Sequence, residues 1–224
     1  MSTTVFIDGE EDGLHAALRD RLDRAGASVS ASRGSADIVV RLGKGEGGDI
    51  AVVPRGGSRG GSKLEVVVSD VIIPGWDSGW GCEEISRMVS GVKEGGSSVE
   101  AYEGTRYWVH VRDVVDALCT LILPEGERFS EGLLHLCGRR PWEGHDVREE
   151  IELLWNRFND AINHSHTADS LSGIPSPVRG TGNNDGNRPD LAPLHSALIE
   201  SGGEGWHPLI AMRTSLMESI ALSE

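Results

Sequence analysis

Lysine is scarce in this chain: Lys44, Lys63 and Lys93 are the only three. Acidic residues outnumber basic ones, 35 Asp and Glu against 21 Lys and Arg, for a net charge of −14. That balance argues against a nucleic-acid partner or an anionic membrane partner, since both are held by a basic surface. Cysteine is just as sparse. Cys82, Cys119 and Cys137 are odd in number, widely spaced and set in apolar surroundings, so neither a disulfide framework nor a cysteine-based zinc site is expected. Long hydrophobic runs are missing too: the stretch around Cys119 is too short and too interrupted to span a bilayer, and no basic leader with an apolar run opens the chain. A cytoplasmic protein is the expectation.

What the chain does have is enough length, 224 residues, to bury a real core. Its most ordered pattern lies between Glu103 and Leu123. Tyr107, Val109 and Val111 alternate with Trp108, His110 and Arg112, which predicts a strand with two different faces. Asp113 then stands where a helix begins, its carboxylate suited to the unpaired N–H groups of the first turn and to the positive end of the dipole. Val114, Ala117, Leu118, Leu121 and Ile122 follow at helical spacing until Pro124 stops them.

The N-terminus predicts a first βα unit, with a strand at Thr4–Ile7, a turn over Asp8–Gly13, and a helix buried through Leu14, Leu18 and Leu22 that ends near Gly26. Further strands are predicted at Ala27–Ala31, Ala36–Leu42, Asp49–Val53 and within Leu64–Gly75, the third and fourth separated by Gly/Ser-rich stretches. Helices are expected over Glu83–Val92 and Asp146–Arg157, and a strand over Glu131–Gly138 that puts His135 and Cys137 on one face. Residues from about 159 to 187 are rich in Ser, Gly, Asn and Pro and predict a long mobile loop. His164 and His166 within it lack a third ligand nearby, so no metal site is expected.

Several of these segments resemble the extended short-chain dehydrogenase/reductases, the NAD-dependent nucleotide-sugar epimerases and dehydratases. Gly104-Thr-Arg-Tyr-Trp-Val-His-Val-Arg-Asp113 is similar to that family's "G-T-x-R-x-x-x-H-V-x-D" stretch. Asp37-Ile-Val-Val-Arg-Leu42, Asp70-Val-Ile-Ile-Pro-Gly75, Leu134-His-Leu-Cys-Gly138, Arg188-Pro-Asp190 and Gly205-Trp-His-Pro208 resemble its "D-x-V-x-H-L", "N-V-Y-G-P-G", "Y-N-V-G", "R-P-x-D" and "G-W-x-P". The resemblance implies an α/β fold, a reduced Rossmann-like and mainly parallel sheet with a small C-terminal α/β lobe. It places a shortened core in 1–75 and an epimerase-like region in 76–224 that contributes both to the core and to a substrate lobe.

The resemblance also implies where a ligand belongs. Arg106 and Arg188 match the two arginines that clasp the diphosphate of a sugar-nucleotide, and Trp76 and Trp80 lie in the region that covers it. Gly9 retains the first glycine of the dinucleotide motif, but Asp12 and His15 stand at the second and third. Asp8, Glu10, Glu11 and Asp12 surround the seat of a pyrophosphate with negative charge, so NAD or NADP is not expected to bind. The family's Tyr-x-x-x-Lys is missing altogether. The expectation is a degenerate relative that binds a sugar-nucleotide or similar anion without hydride chemistry, as a homodimer or with a full-length relative. Two alternatives are a cofactor-independent enzyme, with His110, Asp70, Asp113 or His135 as acid/base candidates, and an active epimerase/dehydratase with a divergent site.

Overall fold

The computed structural model describes residues 2–57, 60–95, 100–126, 131–167 and 188–223. Strand β1 (Thr4–Asp8) leads through a tight turn into helix α1 (Gly13–Arg24), whose Leu14, Leu18 and Leu22 are fully buried. Each such leucine contributes roughly 1.5–3 kcal/mol by leaving water. Gly26, at φ 83°, turns the chain back in a left-handed conformation that glycine adopts without strain. It leads into β2 (Ser28–Val29), which pairs with β1 through Val5 and Val29.

Three more strands follow in quick succession: β3 (Ile38–Leu42), β4 (Ile50–Pro54) and β5 (Leu64–Val68). All are parallel, with Val40 opposite Ile50 and Val52 opposite Val66. Parallel neighbours ordinarily need a crossover of about a dozen residues or more, usually helical. Here glycine-rich stretches separate the three strands, with no helix between them among the described residues. The sheet is completed by β9 (Gly132–Leu136) beside β5, giving the order β2-β1-β3-β4-β5-β9. This is a six-stranded, entirely parallel Rossmann-like sheet, and its strand order reverses direction at β1 and β3.

One face of the sheet carries helices. Helix α3 (Val111–Ile122) packs against α1, and helix α5 (Ala192–Glu200) joins them through Leu194, Ala197 and Leu198. The opposite face has a small cluster of Ala51, Val53 and Val67 with Leu133 against it. The C-terminal lobe has a separate core in which Ile85, Met88 and Val89 of helix α2 (Glu83–Lys93) meet Val147, Ile151 and Leu154 of helix α4 (Gly144–Ile162), and Leu216 and Ile220 of helix α6 (Met212–Leu222). Two short ribbons stitch the lobe together: β6 (Val71–Ile72) with β8 (Val109–His110), and β7 (Thr105–Arg106) with β10 (Trp142–Glu143).

The structure corrects three local expectations. The strand expected over 107–112 is confined to Val109–His110, and α3 starts at Val111 with His110 as its cap, its Nδ1 accepting from the Arg112 N–H at 3.0 Å. Asp113 does not cap α3, because its carboxylate is taken by the Leu209 and Ile210 N–H groups at 2.8 and 3.1 Å. Helix α4 continues to Ile162, into the stretch expected to be loop. Residues 163–167 leave the helix in a turn, and 168–187 lie outside the described residues.

Candidate functional site

The carboxyl ends of β4, β5 and β9 lie side by side, since Pro54, Val68 and Leu136 are in register across the three strands. Beyond them the chain leaves the sheet at Arg55, Ser69 and Cys137. Asp70 follows with φ 55°, a left-handed conformation that Asp tolerates better than most residues. This turn swings β6 away from the sheet and directs the buried Asp70 carboxylate into the interior. There Oδ2 accepts the Tyr107 N–H at 2.8 Å and Oδ1 accepts from Arg106 at 3.4 Å.

Arg106 is therefore held on β7 by two acids, donating also to Glu84 of α2 at 2.7 Å. Its guanidinium lies 5.8 Å over the ring of Tyr102, a further attraction between cation and π face. Tyr102 is fixed in turn: its hydroxyl donates to the Trp142 carbonyl at 3.0 Å and accepts from Trp108 Nε1 at 2.9 Å. Burial pushes this phenol well above its usual range, so it stays protonated. Behind the cluster, Cys137 is buried and its carbonyl accepts from Trp206 Nε1 at 3.0 Å. Burial raises the Cys137 thiol to about 12 and the Asp70 charge adds to this, while the positive charges of Arg188 and Arg55 pull the other way. Arg188 itself is exposed.

The other expected site residues separate into distinct places. His110 is buried at the α3 terminus, with Nε2 at 3.2 Å from Glu218; burial lowers its pKa first and Arg112 second, against the pull of Glu218. His135 is half-buried in mid-strand on β9, opposite Val67. Asp70 thus lies in the turn before β6, His110 at the end of β8 and His135 on β9. Trp80 is buried, and its Nε1 donates to Asp12 at 2.6 Å, so it fixes a loop and offers no open ring face. Trp76 is 42% exposed and walls a cavity of about 390 Å³ together with Ile73, Cys82, Ile85 and Ser86. Among the described residues, one cluster of three potential metal ligands occurs, His145, Asp146 and Glu149 at the start of α4, apart from His164 and His166.

At the opening turn, Gly9 serves close packing: a Cβ there would stand 2.7 Å from the Leu42 carbonyl of β3. Asp12 caps α1, its Oδ1 accepting the His15 N–H at 2.9 Å. The ring of Trp76 lies directly over Gly13, 2.8 Å from where a Cβ would be. Over the α1 N-terminus, where sheets of this kind receive a pyrophosphate, stand the chain's own Asp12 carboxylate and Trp76 indole.

No family model matches the chain, and no curated protein matches it in sequence. Its fold has clear counterparts among solved structures. The Bordetella bronchiseptica enzyme WbmF in complex with NADH superimposes with a TM-score of 0.61 at 11% identity, over 99% of this chain and 91% of that one. RMD from Pseudomonas aeruginosa, complexed with NADPH, gives 0.59 at 15% identity over 98% of both. UDP-glucose 4-epimerase from Thermotoga maritima, with UDP-glucose, gives 0.57 at 10% identity over 98% of both. The chain shares its fold with these NADH-, NADPH- and UDP-glucose-bound proteins.

These structures correct the expectation that no nicotinamide cofactor belongs here, because proteins built on this fold are solved with NADH and NADPH bound. That expectation rested on Asp12 and His15 in place of two glycines and on the acidic charge of the same turn. The crevice outside the carboxyl ends of β1 and β3, where the strand order reverses, is the feature that receives dinucleotides in such sheets, and this chain retains it.

Proposed function

We propose that this chain binds a sugar-nucleotide or a similar anionic ligand at the carboxyl edge of its sheet, through Arg106 and Arg188, and does not itself carry out hydride transfer. The observation that carries this reading is Arg106. Asp70 and Glu84 fix its guanidinium on a short strand beside the sheet edge, while about a third of its side chain stays exposed. A guanidinium held this way offers its remaining N–H groups to phosphate oxygens without first losing rotamer freedom. Arg188 supplies a second positive charge in the same neighbourhood, its field reaching Cys137 with the opposite sign to that of Asp70. Trp76 offers an exposed ring at the cavity it walls.

The absence of hydride chemistry rests on residue types. No Tyr-x-x-x-Lys occurs anywhere in the sequence. Tyr102, one of only two tyrosines, has its hydroxyl engaged as donor and as acceptor and kept protonated by burial, so it does not act as the phenolate base such chemistry uses.

Calorimetric titration of UDP and UDP-glucose into the wild type, Arg106→Ala and Arg188→Ala tests the reading. Each variant is expected to lose about 10- to 100-fold in affinity, the value of a charge-assisted hydrogen bond of roughly 1.5–3 kcal/mol. Unchanged affinity in both variants overturns the site. Substrate-dependent absorbance change at the reduced-nicotinamide band, with NAD or NADP supplied, overturns the lack of hydride transfer.

A further inference from the structure

Arg41 is the largest fully buried side chain in the molecule, 1% exposed in the middle of β3. Val39 and Arg41 alternate with Ile38, Val40 and Leu42, so Arg41 points away from the helices, to the face covered by the glycine-rich segments. Its Nη1 donates to the Gly43 carbonyl at 2.9 Å. Nε and Nη2 are buried with no hydrogen-bond partner. A buried guanidinium normally has a carboxylate, since an unpaired charge away from water costs several kcal/mol. Among the described residues no carboxylate makes a hydrogen bond to those two nitrogens. The acids nearby have other partners: Asp49 accepts the Val39 N–H at 2.9 Å, and Glu65 accepts the Gly61 N–H at 3.3 Å.

The two unpartnered nitrogens form one edge of the guanidinium, the side-on fork that grips two oxygens of an oxyanion at once. What lies over that edge is glycine backbone. A Cβ on Gly60 would stand 2.9 Å from Nη2 and 3.0 Å from the Gly45 carbonyl, and a Cβ on Gly45 would stand 3.3 Å from the Arg41 Cδ. Only glycine fits there, since a Cβ would already crowd the guanidinium. Gly45, Gly47 and Gly48 have φ of 132°, 79° and 96°, conformations that other residues rarely adopt. A second guanidinium borders the same loop, with Arg33 Nη2 at 3.2 Å from the Cβ position of Gly47.

We propose that the Nε/Nη2 edge of Arg41, roofed by Gly45 and Gly60, is the binding site of a phosphate group, either inorganic phosphate or the phosphoryl group of a small monoester. It lies on the opposite face of the sheet from the helices and is independent of Arg106. The roof parts at the glycine loops to admit the anion, and the ligand supplies the counter-charge the chain omits. Arg33 at the rim suits a dianion better than a carboxylate.

Thermal denaturation of the full chain with inorganic phosphate or ribose 5-phosphate, each against sodium chloride at matched ionic strength, tests this by linkage. The midpoint is expected to rise with phosphate in the wild type and not to rise in Arg41→Leu. Gly60→Ala, which fills the space beside Nη2, is expected to weaken binding at least tenfold. If Arg41→Leu does not fold, Gly60→Ala and the nitrogen-15 NMR shift of the Arg41 Nε–H on titration decide. A stronger response to ribose 5-phosphate assigns the site to a monoester, and a stronger response to the free ion assigns it to phosphate; both support the site. No rise beyond chloride in the wild type, or an undiminished rise in Arg41→Leu, overturns it.

Discussion

The two faces of the six-stranded sheet are secured by different means. On one, α1, α3 and α5 bury Leu14, Leu118 and Leu198 against Val5, Val66 and Leu136. On the other, glycine-rich segments cover a cluster of three small residues and leave a guanidinium edge unpaired. The helical face is also the one whose buried polar groups have partners, His110 with Arg112 and Glu218, Asp113 with Leu209 and Ile210. A sheet can therefore lose the helices on one side and survive, provided the residues there are small and the other side holds a complete core. Stability is concentrated on one face, and adaptability on the other.

The sharpest test of this difference uses two neighbours on β5 that point to opposite faces. Val66→Ala, on the helical side, is expected to cost roughly 2–3 kcal/mol, from lost transfer energy plus a cavity that packed helices do not close. Val67→Ala, under the loops, is expected to cost about 1 kcal/mol, because loops collapse onto the gap. Urea denaturation of the two variants measures both. Equal losses break the comparison.

Next in size is Asp113→Ala, expected to cost about 2 kcal/mol by leaving two backbone N–H groups without their acceptor. Asp113→Asn should recover part of this, since the amide oxygen still accepts one bond.

A smaller effect is expected from pH. Burial lowers the His110 pKa in the folded state, so the unfolded chain binds the proton more readily. The stability from keeping His110 neutral is then fully present above the unfolded value of about 6.5 and is lost as pH falls through the lowered folded value. Denaturation midpoints of the wild type and His110→Gln should diverge above pH 6.5 and converge below it. A constant difference would remove His110 as the cause.

The smallest effect is expected on the loop-covered face. Arg41→Leu should leave stability in phosphate-free buffer within about 1 kcal/mol of the wild type or raise it, because replacing an unpaired buried charge with an apolar group is often neutral or stabilising. A large loss in chemical denaturation would show that Arg41 has a structural partner.

Much of the helical face is legible in the sequence. Leu14, Leu18 and Leu22 repeat at helical spacing, as do Val114, Leu118 and Leu121, and buried parallel strands such as Leu64–Val68 read as apolar runs. The cap of α3 is not legible, because Leu209 and Ile210 compete for the Asp113 carboxylate from 96 and 97 residues away along the chain. The partners of Arg106 are hidden for the same reason: Glu84 and Asp70 meet it only after β6 and β8 pair. At the opening turn, four acidic residues spoke loudly and the strand reversal beside them did not, since a reversal is a property of the whole sheet. Arg41 did leave a signal, an arginine in the middle of Ile38-Val-Val-Arg-Leu42, where a solvated face is not available. Arg55 left none beyond its place after an apolar strand.

The short returns between β3, β4 and β5 have a kinetic consequence. A parallel pair usually waits for a whole helical crossover to form, which makes such sheets slow to assemble. Here the chain from Ile38 to Val68 closes two small loops in succession, and closure entropy grows with the logarithm of loop length. That segment pairs almost locally, whereas β9 reaches β5 only after α2 and α3 have been threaded between them. During refolding, amide protection at Val52 should accordingly precede protection at Leu134, so the stretch left without helices becomes the early template on which the rest of the sheet is laid down.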